Sequence, residues 1–123
     1  MNVERLLDAL GREAQSRAYI LRLDILDHSQ SMIKARLYIL PDLFVQVYRN
    51  DLYDTTNLVV LYGGRRIYAR DQLGGRWHRH TAEAPDVHDT SADGSRSVEL
   101  QIHLLGRACH YSLQAFPFAP RSK

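Results

Sequence analysis

Cysteine, lysine and tryptophan are scarce in this chain of 123 residues: one Cys, Cys109, one Trp, Trp77, and two lysines, Lys34 and Lys123. A single thiol forms neither an internal disulfide nor a cysteine-built zinc site, so Cys109 reads as a small packing residue in a reducing compartment. No apolar run approaches the roughly 20 residues that a membrane-spanning helix needs. The opening residues Met1 to Asp8 mix charge with leucine instead of setting a basic segment before an apolar one, unlike a secretory leader. The expectation is a cytoplasmic protein with no membrane partner. A G-x-S-x-G elbow, a phosphate-binding glycine loop and a paired-cysteine knuckle are all missing, so serine-hydrolase, nucleotide-binding and zinc-finger readings lack support.

The apolar fraction of 45% and charged fraction of 24% are those of a globular protein. Folding at this length buries roughly two-thirds of the unfolded surface, enough for one core, so residues 1–123 read as a single domain. Net charge is only +2, yet 14 of the 16 basic residues are arginine. Guanidinium forks suit phosphate and carboxylate, which admits RNA or an acidic partner without requiring either; a GC-rich genome gives the same bias.

Asn2 can cap a helix whose stripe is Val3, Leu6, Leu7 and Leu10, with Gly11 as its end. From Tyr19 the period becomes two: Tyr19, Leu21, Leu23 and Ile25 against Ile20, Arg22, Asp24 and Leu26, a strand closed by a turn at Asp27-His28-Ser29-Gln30. Ile33, Ala35, Leu37 and Ile39 mark a second strand, stopped by Pro41-Asp42, and Leu43, Val45 and Val47 a third. Residues 57–62 and 65–71 form a hairpin about Gly63-Gly64. After Gly74-Gly75, residues 76–80 are an edge strand or an extended loop, and 81–97 a surface loop. Val98, Ile102, Leu105, Cys109 and Leu113 fit helical spacing; Ser97 is a suitable N-cap and no proline falls before Pro117, so a helix is expected despite Gly106. The fold class is α+β: a mostly antiparallel sheet of five or six strands with an N-terminal and a C-terminal helix packed on one face.

Gly74-Gly75-Arg76-Trp77-His78-Arg79-His80, with His88-Asp89 soon after, holds three of the six histidines and the only tryptophan. In an extended segment His78 and His80 share one face, roughly 6.5 to 7 Å apart, while Trp77 and Arg79 take the other. One use of that spacing is phosphodiester cleavage without metal. One imidazole takes the proton of a ribose 2′-hydroxyl, the other protonates the leaving oxygen, and Arg76 stabilises charge on the phosphate. Trp77 could stack a base, while Arg66, Arg70 and Arg79 could hold the backbone. The other use is a divalent metal, with His78 and His80 joined by His88, Asp86 or Asp89. No cofactor is needed on the first use.

A plainer account of the same residues is also open. A lone tryptophan serves a small core as an anchor, charged residues at Arg65 and Arg66 guard a sheet edge, and the histidines are structural. His103 and His110 fall on the expected C-terminal helix and need no function there; His28 falls in a turn. On this account the chain is a non-catalytic protein-interaction module.

Val47-Tyr48-Arg49-Asn50, Arg66-Ile67-Tyr68-Ala69-Arg70-Asp71, the Gly74 to His80 segment, Pro85 and His88-Asp89 together resemble the TumE family, small proteins described as toxins of prokaryotic toxin-antitoxin pairs. The resemblance covers roughly residues 20 to 115, and its most specific part is Trp77-His78-Arg79-His80 with the later His88-Asp89. It implies a cytoplasmic protein neutralised by a cognate antitoxin, with the histidine segment as the active region. It carries no catalytic assignment, so whether the chain is a ribonuclease, another kind of toxin or no enzyme stays open at this point.

Overall fold

A computed structural model describes residues 1–73, 76–81 and 97–115, with 76–81 and 112–115 described by their backbone alone. The order is α1 (Val3–Ser16), β1 (Arg22–His28), β2 (Met32–Leu40), β3 (Leu43–Asn50), β4 (Thr55–Tyr62), β5 (Arg65–Leu73), β6 (Arg76–Thr81) and α2 (Val98–Ala115). The six strands lie side by side in sequence order, each antiparallel to the next. Such a meander follows from the short turn-forming segments between period-two runs, since antiparallel neighbours need only a hairpin. Gly63 and Gly64 have φ of 58° and 81°. Two successive positive φ angles are what a tight hairpin matched to strand twist requires, and glycine adopts them without steric cost.

Pairing sorts the alternating residues onto two faces. Ala35 stands opposite Val47 and Leu37 opposite Val45, and these stand opposite Leu58 and Val60. All six are buried in one cluster with Val3, Leu6 and Leu10 of α1 and Val98, Ile102 and Cys109 of α2. Removing a Leu, Ile or Val side chain from water is worth about 1.5 to 3 kcal/mol, so this cluster is the main source of stability. The other face carries Lys34, Arg36 and Tyr38 of β2, Phe44, Gln46 and Tyr48 of β3, and Asn57, Val59 and Leu61 of β4, by the same register. A bulge at Ile39 breaks the alternation, and Tyr38 and Ile39 are both buried.

The helix caps agree with the sequence. Asn2 Oδ1 accepts from the Arg5 N–H at 2.8 Å, and Ser97 Oγ accepts from the Leu100 N–H at 3.2 Å. Both central-hairpin strands run two residues longer than expected, β4 from Thr55 and β5 to Leu73, and three further boundaries differ. Gly11 does not end α1, which continues to Ser16. The glycine's propensity cost of about 1 kcal/mol is outweighed by contacts of the following turn: Ala14 packs on the core, and Glu13 bonds His103. The first strand starts at Arg22, not Tyr19, because Tyr19 and Ile20 turn inward onto the core as the chain leaves α1. His28 ends β1, pairing with Ile33, instead of lying in the turn. Residues 76–81 form an edge strand on β5. Of the expected loop over 81–97, Thr81 instead ends β6; residues 82–96 and the helix stop at Pro117 lie outside the described residues.

Arg49 continues the inward set of β3 and is only 2% exposed. Its Nε donates to Asp51 Oδ1 at 2.7 Å and its Nη1 to Thr56 Oγ1 at 2.9 Å. Its Nη2 donates to the Met1 carbonyl at 3.0 Å and to Asp54 Oδ1 at 2.9 Å. Asp51 Oδ2 in turn accepts the Val3 N–H at 3.0 Å, one of the amides that the first turn of a helix leaves without an intrahelical partner. One buried guanidinium thus joins the start of α1 to the β3–β4 hairpin, where Asp54 is held at a φ of 47°.

Two stability outcomes follow. Arg49→Ala should lower unfolding free energy by about 2 to 3 kcal/mol, the scale of lost hydrogen bonds to a charged group, read from urea denaturation. A Cβ at Gly11 meets nothing within 4 Å, and one at Gly106 meets only Tyr19 Cε1 at 3.8 Å, an ordinary contact. Gly11→Ala and Gly106→Ala should each raise stability by about 0.5 to 1 kcal/mol in the same measurement.

Candidate functional site

The histidine segment forms edge strand β6, whose register gives each position a face. His78 pairs with Asp71, His80 with Ala69 and Arg76 with Leu73; between them Trp77 pairs with Gln72 and Arg79 with Arg70. Opposed residues of an antiparallel pair share a face. Asp71 pairs with Asn57, and Asn57 with Tyr48, so the positions of His78, His80 and Arg76 belong to the polar and aromatic face. Gln72 pairs with Thr56 and Arg70 with Leu58, so the positions of Trp77 and Arg79 belong to the face that carries the core.

The remaining site candidates divide sharply. Arg66 is exposed at the start of β5, opposite Leu61 and therefore on the polar face. Arg70 departs from the expectation of a backbone-holding residue. It is 7% exposed, and its Nη1 donates to Gln101 Oε1 of α2 at 2.6 Å. A buried guanidinium that ties strand to helix is not presented to a polyanion. The metal reading also needs His88, Asp86 or Asp89, which lie outside the described residues; among the described residues no group of three or more metal-ligating side chains occurs.

The polar face has ordered chemistry. The Arg36 guanidinium lies 4.5 Å from the Phe44 ring centre, donating from Nε to Gln46 Oε1 at 3.1 Å and from Nη1 to the Tyr38 hydroxyl at 3.2 Å. Arg22 lies 4.0 Å over the Tyr38 ring and donates to Asp24 Oδ2 at 3.1 Å. Tyr38 and Phe44 are tilted neighbours at 4.9 Å. Guanidiniums set over aromatic rings place cations and π faces side by side on this surface.

A second cluster, not anticipated from the sequence, lies where α2 meets α1. His103 Nδ1 is 3.0 Å from each Glu13 carboxylate oxygen, and Arg17 Nε donates to Glu13 Oε1 at 2.9 Å. A carboxylate only accepts, so Nδ1 carries the proton and the imidazole orientation is set. His110 stacks on Tyr19 at 4.5 Å with 10° between planes, and Arg107 lies 5.4 Å from the Tyr111 ring centre. Burial, with Glu13 nearby, raises the Tyr19 hydroxyl above its usual range, whereas the hydrogen bond from Arg107 lowers that of Tyr111. The available signal was the spacing of His103, Arg107, His110 and Tyr111: Arg107 lies four positions from His103 and from Tyr111 and three from His110, which puts them on one side of a helix.

Cys109 is buried beside this cluster, and desolvation pushes its thiol from 9.0 up to about 11. The folded chain therefore holds this proton where an unfolded thiol has lost it. Between pH about 9 and about 11 this group makes stability fall as pH rises, and below that window it is without effect. Comparing urea stability of the wild type and Cys109→Ala across pH 8 to 11 should show the steeper decline in the wild type. Maleimide at pH 8 should label the native thiol only at the rate of opening, and the denatured thiol at once.

No helix among the described residues is long and apolar enough to cross a membrane. Comparison with protein-family models, with curated proteins and with solved structures found no match to this chain.

Proposed function

We propose that this chain is an RNA-directed, toxin-like protein, restrained by a cognate antitoxin, that cleaves phosphodiesters without metal at the β6 edge of the polar face. The observation that carries this reading is the register of β6, in which His78 and His80 occupy neighbouring same-face positions opposite Asp71 and Ala69, with Arg76 one step further along. Two imidazoles spaced for one ribose-phosphate unit are what general acid and base catalysis near neutral pH requires. One imidazole removes the ribose 2′-proton as the 2′-oxygen attacks phosphorus. The bond from phosphorus to the 5′-oxygen breaks, and the other imidazolium protonates that oxygen, leaving a 2′,3′-cyclic phosphate and a 5′-hydroxyl. Arg76 meets the charge that builds on the phosphoryl oxygens.

The rest of the polar face supports a single-stranded substrate. Arg66 is exposed there, and the Arg36 and Arg22 guanidiniums lie over Phe44 and Tyr38. Cations beside aromatic planes suit a strand whose phosphates and bases are both accessible.

Purified protein incubated with single-stranded RNA in EDTA should cut it with a bell-shaped pH profile. His78→Ala/His80→Ala should lose at least about 100-fold of the rate, the scale of one general acid or base. The same pair of proteins expressed in cells should differ in growth inhibition. Intact RNA after incubation with the wild type, or equal rates for the two proteins, would remove the histidines from this role.

A further inference from the structure

The groove between the two helices lies away from the polar face and shares no residue with the site proposed above. About 350 Å³ of space is lined by Arg17, Tyr19, His103, Arg107, His110 and Tyr111, and it adjoins a second hollow that also uses Arg17 and His103. The volume falls at the lower end of small-molecule sites, roughly 300 to 1,000 Å³. All six lining side chains are cationic, imidazole or phenol.

The charge balance favours an anion. Glu13, the carboxylate nearest the groove, is taken up by His103 and Arg17. Arg107 rests on Tyr111 with its Nη2 3.5 Å from the hydroxyl and makes no ion pair among the described residues. Arg107 can therefore turn its guanidinium fork to phosphate without giving up a carboxylate. With Nδ1 committed to Glu13, His103 has its second ring nitrogen left to donate when protonated.

The aromatic part favours a flat ring attached to that anion. Tyr19 and His110 form a parallel pair, and Tyr111 is 55% exposed. Stacked aromatic faces beside a guanidinium hold a nucleobase and a phosphate together, as in single-strand recognition, but here in a concave space sized for one unit.

We infer that the α1–α2 groove binds a nucleoside monophosphate, with Arg107 and His103 on the phosphate and the Tyr19–His110 pair and Tyr111 against the base. The site needs no glycine loop, because side chains of α2 and of Tyr19, in the segment that follows α1, supply every contact. It stands or falls separately from RNA cleavage at β6.

Calorimetric titration of the full chain with adenosine 5′-monophosphate, inorganic phosphate and adenosine tests it, with the ring resonances of His103 and His110 followed by NMR. The monophosphate should bind at least 10-fold more tightly than either fragment and shift both histidines. Arg107→Ala should weaken it at least 10-fold at unchanged Tm, since among the described residues that exposed side chain bonds only the Tyr111 hydroxyl; His78→Ala/His80→Ala should bind it as the wild type does. Absent binding, equal affinity for inorganic phosphate or adenosine, unshifted histidines, an unaffected Arg107→Ala, or loss of binding in the β6 double variant would each overturn the assignment.

Discussion

The six strands bury a single apolar face, and the helices that help to close it come from opposite ends of the chain. Neither helix follows from the meander itself. Docking α1 at the right height depends on Arg49, which stands at the end of the inward series of β3 where a smaller apolar residue would complete the pattern. A guanidinium in that position is costly to desolvate and is tolerated because oxygen acceptors surround it. Those acceptors are drawn from the β3–β4 hairpin, from β4 and from the backbone at Met1. The cost of burying the charge is thereby converted into a fixed relation between the helix start and the sheet.

With one face given to the core, the other is left to polar chemistry, and the strand order decides what meets there. β6 lies at the far edge from β1, so the positions of His78 and His80 lie next to β5, in register with Asp71 and Asn57 and with Ala69 and Val59. Arg22 and Arg36 on that face lie over aromatic rings, whereas Arg49 and Arg70 are consumed internally. An arginine-rich composition therefore does not convert directly into a basic surface. Two of the guanidiniums serve as internal ties, and acidic residues pair Arg5, Arg17 and Arg22.

The junction of the helices shows the same economy. Glu13 holds His103 and Arg17, which secures α1 to α2, and in doing so orients an imidazole toward a groove that already carries Arg107 and stacked aromatic rings. An interaction made for packing prepares the geometry of a binding site, because ion pairs at the rim of a core are only partly buried and leave their second donors to the outside.

Period-two alternation in 33–39, 43–47 and 57–62, the glycine pair at 63–64 and the caps at Asn2 and Ser97 were legible in the sequence, because each depends on neighbours a few residues apart. The division of the histidine segment into two faces was legible for the same reason: backbone pleat alone sets it. What only the tertiary structure decided are contacts between residues far apart in the chain. Gly11 stays helical because Glu13 finds His103, ninety positions away. Arg70 leaves the list of exposed cations because Gln101 of α2 receives it, and His103 and His110, unremarkable on an isolated helix, become a cluster only when Glu13 and Tyr19 are brought beside them. Local periodicity specifies which side of an element a residue takes, and packing between distant elements determines what it meets there.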